Sequence, residues 1–258
     1  MCKYKLTEET LTWGGKVFYR IEALIDFNNV KKGDKGGWIE KEANLSQYGD
    51  CWVYDNAVVY GNAVVCDNAR VRDNGKVCEN AVVMDNSVVC GSAWVCENAV
   101  VMDNSMVSGN AAVCNDAVVC DKADVCGSAW VFGNAEVKDN ATVCGSAIVR
   151  DNACVKDKAE VCDNAVVRGN AVVRDNGKVC GYADICCDAI IEKMGDYIVF
   201  QNWWSSSRWF TYTKSNNMWK VGCFYGTGEE LIKKAYGDNE EKGKMYEEYV
   251  NFVNRLIK

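Results

Sequence analysis

Residues 161–176 read VCDNAVVRGNAVVRDN, and this stretch holds the pattern that decides the fold. From Val53 to Ile191 an aliphatic residue recurs every six residues, and a small residue follows four positions after each of them. A polar pair such as Asp55-Asn56 separates the two. A fixed short period of this kind is the signature of a solenoid, in which each unit buries its apolar side only against its neighbours.

The spacing within one unit predicts a short strand and a corner. Ala57 and Val59 are two residues apart, so both point to one side of a strand while their neighbours point outward. At the polar pair we expect a sharp corner, with Asn in the left-handed backbone region and Asp bonded to the backbone two residues further on. A six-residue period excludes a helix, because it would carry the valine around the helix axis.

Corner aspartates define a second, longer period. They recur every eighteen residues without exception, at Asp67, Asp85, Asp103, Asp121, Asp139, Asp157 and Asp175. This predicts three units in each coil, so that residues eighteen apart stack in columns. Eight coils at about 4.8 Å per stacked strand give a prism roughly 38 Å long.

The unit resembles the hexapeptide repeat of left-handed parallel β-helix proteins, whose usual form is Ile-Gly-(Asp/Glu)-Asn-(Ala/Thr)-Val. It matches at the aliphatic, Asn and small positions and departs at the second, where Tyr54, Cys66, Arg72 or Met84 replaces the usual Gly. The opening WIEKEANLSQYGDCWVYDNAVVYGNA of residues 38–63 is similar to the lead-in of small hexapeptide-repeat proteins of bacteria and bacteriophages, often labelled transferases. The resemblance implies an all-β solenoid, wound as a left-handed parallel β-helix.

Three segments follow from these patterns. Residues 1–42 are interpreted as an N-terminal β cap with a hairpin over residues 3–24, and residues 43–193 as the β-helix. Residues 194–258 are interpreted as a C-terminal α+β domain with strands at 197–201, 208–213 and 218–224, and a first helix opened by the capping box of Thr227 and Glu230. A second helix, from Asn239 to about Ile257, is expected to bury Met245, Tyr249, Phe252, Val253 and Leu256.

Charge and composition restrict the class of partner and the compartment. Of the net charge of −7, residues 43–193 carry 21 acidic and 12 basic side chains. An acidic body argues against nucleic acid as a partner. No apolar run approaches about 18 residues, so we expect no membrane span. The start of the chain is not typical of a signal peptide, and sixteen cysteines without one favour free thiols in the cytoplasm of a bacterial host cell.

Activity is the point on which the resemblance and the residues diverge. The resemblance implies an acyl- or acetyltransferase that uses coenzyme A or acyl carrier protein, and such enzymes commonly use a histidine as general base. This sequence contains no histidine, and no long loop interrupts the repeat. We therefore expect no enzyme, no catalytic residue, no cofactor and no metal site. The column Cys126, Cys144, Cys162 and Cys180 is interpreted as small hydrophobic residues, with a soft-metal ladder as the weaker alternative.

Two outward faces are unusually apolar. One carries Val64, Val82, Val100 and Val118 with Met84 and Met102; the other carries Trp94 and Trp130 with Tyr60 and Phe132. Monomers rarely leave such ladders in water. We expect a homo-oligomer, a trimer or a dimer; trimers with ligands in grooves between subunits are what the resemblance implies. The alternative is that the C-terminal domain folds back over one face.

Two smaller features are further candidates. Asp67, Asp85 and Asp103 adjoin uncharged neighbours, so this acidic ridge could recruit cations or a basic partner, although capping of the corners explains the aspartates equally well. In the C-terminal domain, Trp203, Trp204 and Arg208 could expose one ring as a binding platform.

The sequence as a whole favours a non-catalytic β-helical binding or scaffold protein that acts through side-chain ladders and inter-subunit surfaces. Its partner would be a host protein or a small-molecule ligand. On the resemblance to bacteriophage proteins alone, the hypothesis extends to a viral protein with a host-interaction or anti-defence role. The alternatives are an acyltransferase and an acidic mimic that binds a basic host protein.

Overall fold

The structure, a computed structural model, describes residues 2–257, and its body is a parallel β-solenoid of about nine turns. Each strand pairs in parallel with the strand eighteen residues further on, as Val88 does with Met106. The three-sided coil and the column register predicted from the corner aspartates are therefore confirmed. The sequence counted eight coils; an irregular first turn, in which Trp38 pairs with Val58 and Leu45 bridges to Val65, precedes them.

Two-residue strands, with the five-residue strand Lys35–Ile39 at one end, form the three faces of the prism, and we name each face by its side chains. The tryptophan face contains Lys35–Ile39, Val58–Val59, Lys76–Val77, Trp94–Val95, Ala112–Val113, Trp130–Val131, Ile148–Val149, Val166–Val167 and Asp184–Ile185. The valine face contains Val64–Val65, Val82–Val83, Val100–Val101, Val118–Val119, Glu136–Val137, Cys154–Val155, Val172–Val173 and Ile190–Ile191. The polar face contains Trp52–Val53, Arg70–Val71, Val88–Val89, Met106–Val107, Asp124–Val125, Thr142–Val143, Glu160–Val161 and Lys178–Val179.

The core of the prism consists of the second residue of each strand and the small residue before each strand. Val113 and Ala111, for example, are both fully buried. Because every coil repeats this pair three times, the apolar side chains form one continuous column along the axis. Each coil thus stabilises only its two neighbours, as in other solenoids.

The corners differ from the sequence prediction in which residue bends. The left-handed conformation belongs to the first residue of the polar pair, such as Asp121 with φ of 58° or Gly127 with φ of 69°, and not to the asparagine that follows. The expected bond of Asp to the backbone two residues on is also wrong, because the carboxylate reaches the next coil: Asp121 Oδ2 accepts from the backbone N–H of Asp139 at 3.1 Å. Asparagines stack instead as amide ladders, in which Asn80 donates to Asn98 at 3.0 Å.

The N-terminal cap confirms the predicted hairpin. Its strands, Tyr4–Trp13 and Lys16–Ala23, pair in antiparallel fashion, and the second pairs with Lys35–Ile39, so the hairpin extends the tryptophan face. A short 3-10 helix, Glu42–Asn44, leads into the first coils. Trp52 closes the open end of the core, with the rings of Tyr4 and Phe27 packed edge-on against it.

The C-terminal domain closes the other end of the prism rather than folding over a face. Its hydroxyls accept one backbone N–H from the last coil on each of the three faces: Tyr197 from Cys180 at 3.0 Å, Thr211 from Asp184 at 2.9 Å and Ser215 from Ile190 at 2.8 Å. Across this seam the ring of Trp209 stacks on Tyr182 at 4.8 Å. The alternative that this domain covers an apolar ladder is therefore wrong.

The domain itself has an antiparallel sheet, a core of its own and two helices. The strands are Tyr197–Gln201, Trp209–Thr213, Met218–Val221 and Phe224–Gly226, and the helices are α1 (Gly228–Asp238) and α2 (Glu240–Leu256). The strand predicted over residues 218–224 is in fact a hairpin, since Gly222, with φ of 55°, turns the chain. Thr227 and Glu230 form the predicted capping box. Among residues 2–257, no helix is both long and apolar enough to span a membrane.

The buried stripe of α2 is shifted from the predicted one. The helix buries Gly243, Tyr246, Val250 and Val253, because the absence of a side chain at Gly243 lets the ring of Tyr236 lie against its backbone. Met245, Tyr249 and Phe252 instead line an open groove of about 370 Å³ beside Phe200. The predicted burial of Phe252 and Leu256 is wrong, as both are exposed.

Candidate functional surfaces

The tryptophan face presents the largest exposed rings of the solenoid. Trp94 is 47% exposed and Trp130 is 55% exposed, and Ala112 lies between them in the pairing order. Two strand spacings separate the rings by roughly 9.6 Å along the axis. Because Ala112 has only a methyl group, the two indoles form the walls of a notch. Ile148 and Val166, both half-buried, continue the apolar column.

The N-terminal hairpin covers one end of this face. Tyr60, predicted as a binding residue, packs edge-on against Trp13 and Phe18 of the hairpin. Lys76 lies over the ring of Trp13 at 4.8 Å. Tyr60 therefore belongs to the attachment of the cap, and the open part of the face begins at Trp94. Phe132 is half-buried beside that open part.

Beneath the first indole lies a row of three thiols, Cys78, Cys96 and Cys114. The Sγ atoms of Cys96 and Cys114 are 3.0 Å apart, and Trp94 Nε1 donates to Cys78 Sγ at 3.1 Å. Hydrogen bonds from the Cys96 thiol, from Trp94 and from Tyr60 lower the pKa of Cys78 to about 6. The hydrogen bond to Cys114 raises the pKa of Cys96. The three thiols are largely buried, so they lie beneath the exposed surface of the tryptophan face.

The valine face is apolar over only half its length. Val64, Val82, Val100 and Val118 are all half-buried, as are Met84 and Met102 at their side. The next position in the column is Glu136, which forms an ion pair with Lys138 at 2.8 Å. The valine ladder is thus shorter and less exposed than the tryptophan face, and it gives way to charged side chains towards the C-terminal domain.

The polar face contains a carboxylate that the sequence did not single out. Asp124 Oδ1 is buried and has no hydrogen-bond partner among residues 2–257. Burial raises the pKa of this carboxyl group. Its column neighbours, Met106 and Thr142, offer no opposite charge. The signal available in the sequence was an acidic residue in a strand position flanked by such neighbours.

The predicted acidic ridge is bonded to the backbone for most of its length. Asp85 Oδ2 accepts from the backbone N–H of Asp103 at 3.2 Å, and Asp103 Oδ2 accepts from Asp121 at 3.1 Å. Asp67 accepts from the thiol of Cys66 at 3.2 Å, and burial together with that contact raises the pKa of the thiol to about 12. These contacts give the ridge a structural role in capping the corners.

The platform predicted in the C-terminal domain divides into an exposed and a packed ring. Trp203 is 73% exposed, whereas Trp204 packs edge-on against Tyr246 at 5.2 Å. Arg208 is exposed on the rim of a cavity of about 360 Å³ shared with Asn202 and Tyr246. The three predicted residues therefore lie near one another without forming a single flat surface.

The fold and its surfaces define the chain as a hexapeptide-repeat parallel β-solenoid with a different module at each end. From residue 53 to residue 191 the strands follow one another every six residues without an inserted loop.

Comparison with known proteins agrees with this class over a limited part of the chain. Residues 53–67 match the family described as the YdcK β-solenoid repeat. The chain is also similar to a protein of Escherichia coli (strain K12) named uncharacterized acetyltransferase YdcK, with 40% identity over 67 residues. That similarity covers 23% of this chain and 21% of the relative, so it does not extend over either whole protein.

Proposed function

We propose that the chain is a non-catalytic β-solenoid binding protein whose tryptophan face pairs with the same face of a second copy. The observation that carries the proposal is the exposure of Trp94 and Trp130 on an apolar window that neither terminal module covers in the described residues. Exposed apolar ladders of this length mark interaction surfaces.

The notch suits a self-complementary contact. If a two-fold axis passes through Ala112, Trp94 of one copy lies opposite Trp130 of the other, so an indole pair packs across the interface on each side of the two alanines. Such an isologous arrangement uses the same patch twice and closes as a dimer. Large aromatic side chains at the centre of an interface commonly carry most of its binding energy.

The window between Trp94 and Val166 would supply the apolar centre of the contact. From Trp94 to Val166 the face spans five strands, and the four spacings between them extend about 19 Å along the axis. Specific dimers bury about 800 Å² on each partner. Contacts from Phe132 and Arg150 at the edge of the same face would add to this area.

Within residues 2–257 all sixteen cysteines are free thiols, which supports placing the protein in a reducing compartment such as the bacterial cytoplasm. We extend the proposal to a host-interaction or ligand-sequestering role on the resemblance to bacteriophage hexapeptide-repeat proteins. In that role the groove between paired faces would hold the ligand.

Sedimentation velocity at micromolar concentration tests the pairing. We expect a dimer for the unaltered chain and a monomer for the double variant Trp94→Glu, Trp130→Glu. The matched control is Val82→Glu, Val100→Glu on the valine face, which should remain dimeric. If the unaltered chain is a monomer, the proposal is wrong. A trimer would contradict the two-fold geometry. If only the control variant dissociates, the interface lies on the valine face.

Acyl transfer is the second candidate function, favoured by the name of the Escherichia coli relative and by Asp124. A carboxylate with a raised pKa can act as a general base where histidine is lacking. Coenzyme A release from acetyl-coenzyme A should be measured with amine and hydroxyl acceptors. On this reading Asp124→Asn lowers the rate by about 100-fold or more, whereas Asp139→Asn on the ridge leaves it unchanged; no release with any acceptor counts against the enzyme.

A further inference from the structure

Cys162, Asp163 and Cys180 meet where the polar face reaches the C-terminal domain. One ligand atom from each, the two Sγ atoms and a carboxylate oxygen, lie within 4.8 Å of one another. Cys162 is buried and Cys180 is half-buried, whereas Asp163 is exposed to solvent. Residues 162 and 180 belong to successive coils, so parallel stacking, and not a CxxC motif, brings the thiols together.

We propose that these three residues form a binding site for a divalent cation of the zinc class. Two thiolates and a carboxylate are ligands that zinc accepts in tetrahedral geometry, with Zn–S near 2.3 Å and Zn–O near 2.1 Å. Those bond lengths put the two sulfurs about 3.8 Å apart and each sulfur about 3.6 Å from the oxygen. Side-chain rotations that move the ligand atoms by about 1 Å close the site, and water takes the fourth position.

The aspartate is not required by the corner at which it stands. In the same column Gly127 and Gly145 make the corner with φ of 69° and 68°, and each follows a cysteine, as Asp163 does. Within this column, cysteine and aspartate adjoin only at residues 162–163. Asp163 Oδ2 accepts from the backbone N–H of Gly181 at 2.9 Å, which holds the carboxylate beside the thiols and leaves Oδ1 for a ligand.

A phenol from the C-terminal domain supports the same site from outside. Tyr197 Oη accepts the backbone N–H of Cys180 at 3.0 Å and lies 3.5 Å from Cys180 Sγ. Since Oη accepts from the backbone N–H, its own proton can be donated to the Cys180 sulfur. Outer hydrogen bonds of this kind orient metal ligands.

The loaded site would carry a small net charge. Two thiolates, one carboxylate and a divalent cation sum to −1. Lys178 and Glu160 lie in paired strands of the polar face, close to the two thiols in sequence. They form an ion pair at 2.9 Å, so the pair leaves the net charge of the site unchanged.

The other thiol row does not offer an equivalent enclosure. Cys78, Cys96 and Cys114 run in a straight line along the tryptophan face, so the two outer sulfurs are separated by two coils. No carboxylate closes that row into a group of mutually adjacent ligand atoms in the part of the chain that the structure describes. The cluster at residue 162 is therefore the better cation site.

Titration of the reduced, metal-free full chain with Co²⁺ tests the proposal, because tetrahedral thiolate coordination gives a charge-transfer band in the near ultraviolet and d–d bands in the visible. We expect one Co²⁺ per chain, displaced by Zn²⁺. The double variant Cys162→Ala, Cys180→Ala should lose the band. The matched control Cys126→Ala, Cys144→Ala, whose two thiols adjoin Gly127 and Gly145, should keep it.

Two single variants separate ligation from folding. Asp163→Gly adopts the corner solution that the column already uses, so the fold should persist while zinc affinity falls by more than about ten-fold. Tyr197→Phe should weaken affinity by about ten-fold without changing the stoichiometry. The proposal is overturned if the unaltered chain shows no thiolate band up to millimolar Co²⁺, if the band survives in Cys162→Ala, Cys180→Ala, or if Asp163→Gly binds as tightly as the unaltered chain.

Discussion

The coils and the C-terminal domain bury apolar side chains in opposite ways. In the coils one valine and one small residue repeat, so Val113 has nearly the same surroundings as Val131. In the domain each buried ring has its own partners: Trp219 contacts Phe200, Phe210 and Tyr212. A repeated environment can be predicted from the sequence period alone. A unique environment depends on residue pairs that become neighbours only when the chain folds.

Alkaline pH should produce the largest difference in stability between the coils and the C-terminal domain, because buried thiols are concentrated in the coils. Burial raises the pKa of the Cys120 and Cys186 thiols to about 12, from an ordinary value of 9.0. Above pH 9 the unfolded chain loses these protons first, so the folded state binds more protons and stability falls as pH rises towards 12. Cys78 and Cys114, whose pKa values are lowered, are ionised in both states above pH 9 and do not oppose this trend.

Guanidinium unfolding followed by circular dichroism at pH 8 and pH 10 measures the effect. We expect the coil transition to move to lower denaturant by more than in any single variant described below. The domain, whose one thiol is the exposed Cys223, should respond less over this range. Equal midpoints for the coils at the two pH values would contradict the expectation, and replacing Cys66, Cys120 and Cys186 by alanine should reduce the shift.

Removal of one large ring should destabilise the domain alone. Trp219 is buried, and Trp219→Ala is expected to cost the domain about 3–5 kcal/mol. Hydrogen exchange at neutral pH should then show faster exchange in residues 197–257 and unchanged protection in coils distant from the seam. Trp203→Ala, at an exposed ring, should stay within about 0.5 kcal/mol. Loss of protection throughout the coils would mean that the two cores unfold together.

A methyl group at a corner should have a smaller effect that depends on position. A Cβ at Gly127 would lie 2.8 Å from the carbonyl oxygen of Gly145, whereas a Cβ at Gly181 meets nothing within 4 Å. Both replacements pay the left-handed backbone cost of roughly 1–2 kcal/mol. We expect Gly127→Ala to total at most about 3 kcal/mol, because the aspartate corners show that a φ near 58° accommodates a side chain. Equal losses of unfolding free energy for the two variants would rule out the contact between coils as a cause.

Loss of a helix cap should have the smallest effect. Thr227 Oγ1 accepts from the backbone N–H of Glu230 at 3.3 Å. Thr227→Ala should cost the domain about 1 kcal/mol, measured by chemical denaturation, while Thr227→Ser keeps most of it. A shift in the coil transition would show that the helix contributes to the stability of the solenoid.

The six-residue period predicted the coils because an aliphatic residue occupies the same position of the repeat twenty-four times between Val53 and Ile191. The corner was predicted correctly in place and wrongly in detail: both Asp and Asn tolerate the left-handed region, and the bond from Asp to the next coil selects between them. The stripe of α2 was predicted wrongly because Tyr236 of the neighbouring helix, and not the pattern within α2, decides which side is buried.

The candidate surfaces were predictable to the same extent. The columns placed Trp94 and Trp130 on one face, since stacking follows from the eighteen-residue register. The sequence could not show that the N-terminal hairpin attaches over Tyr60, or that Oδ1 of Asp124 is left without a partner in the described residues. It placed Cys162 and Cys180 in one column, but not the carboxylate and the phenol that converge on them.

The hydroxyls of Tyr197, Thr211 and Ser215 make the termination of the prism independent of its length. An open strand edge recruits further strands, and each hydroxyl occupies an edge amide without presenting backbone that a new strand could join. Duplication or loss of a whole coil upstream delivers the same final coil to these hydroxyls. The number of coils can therefore increase or decrease in evolution by duplication or loss of a coil. The same C-terminal module still ends the solenoid, and open-ended fibres do not form.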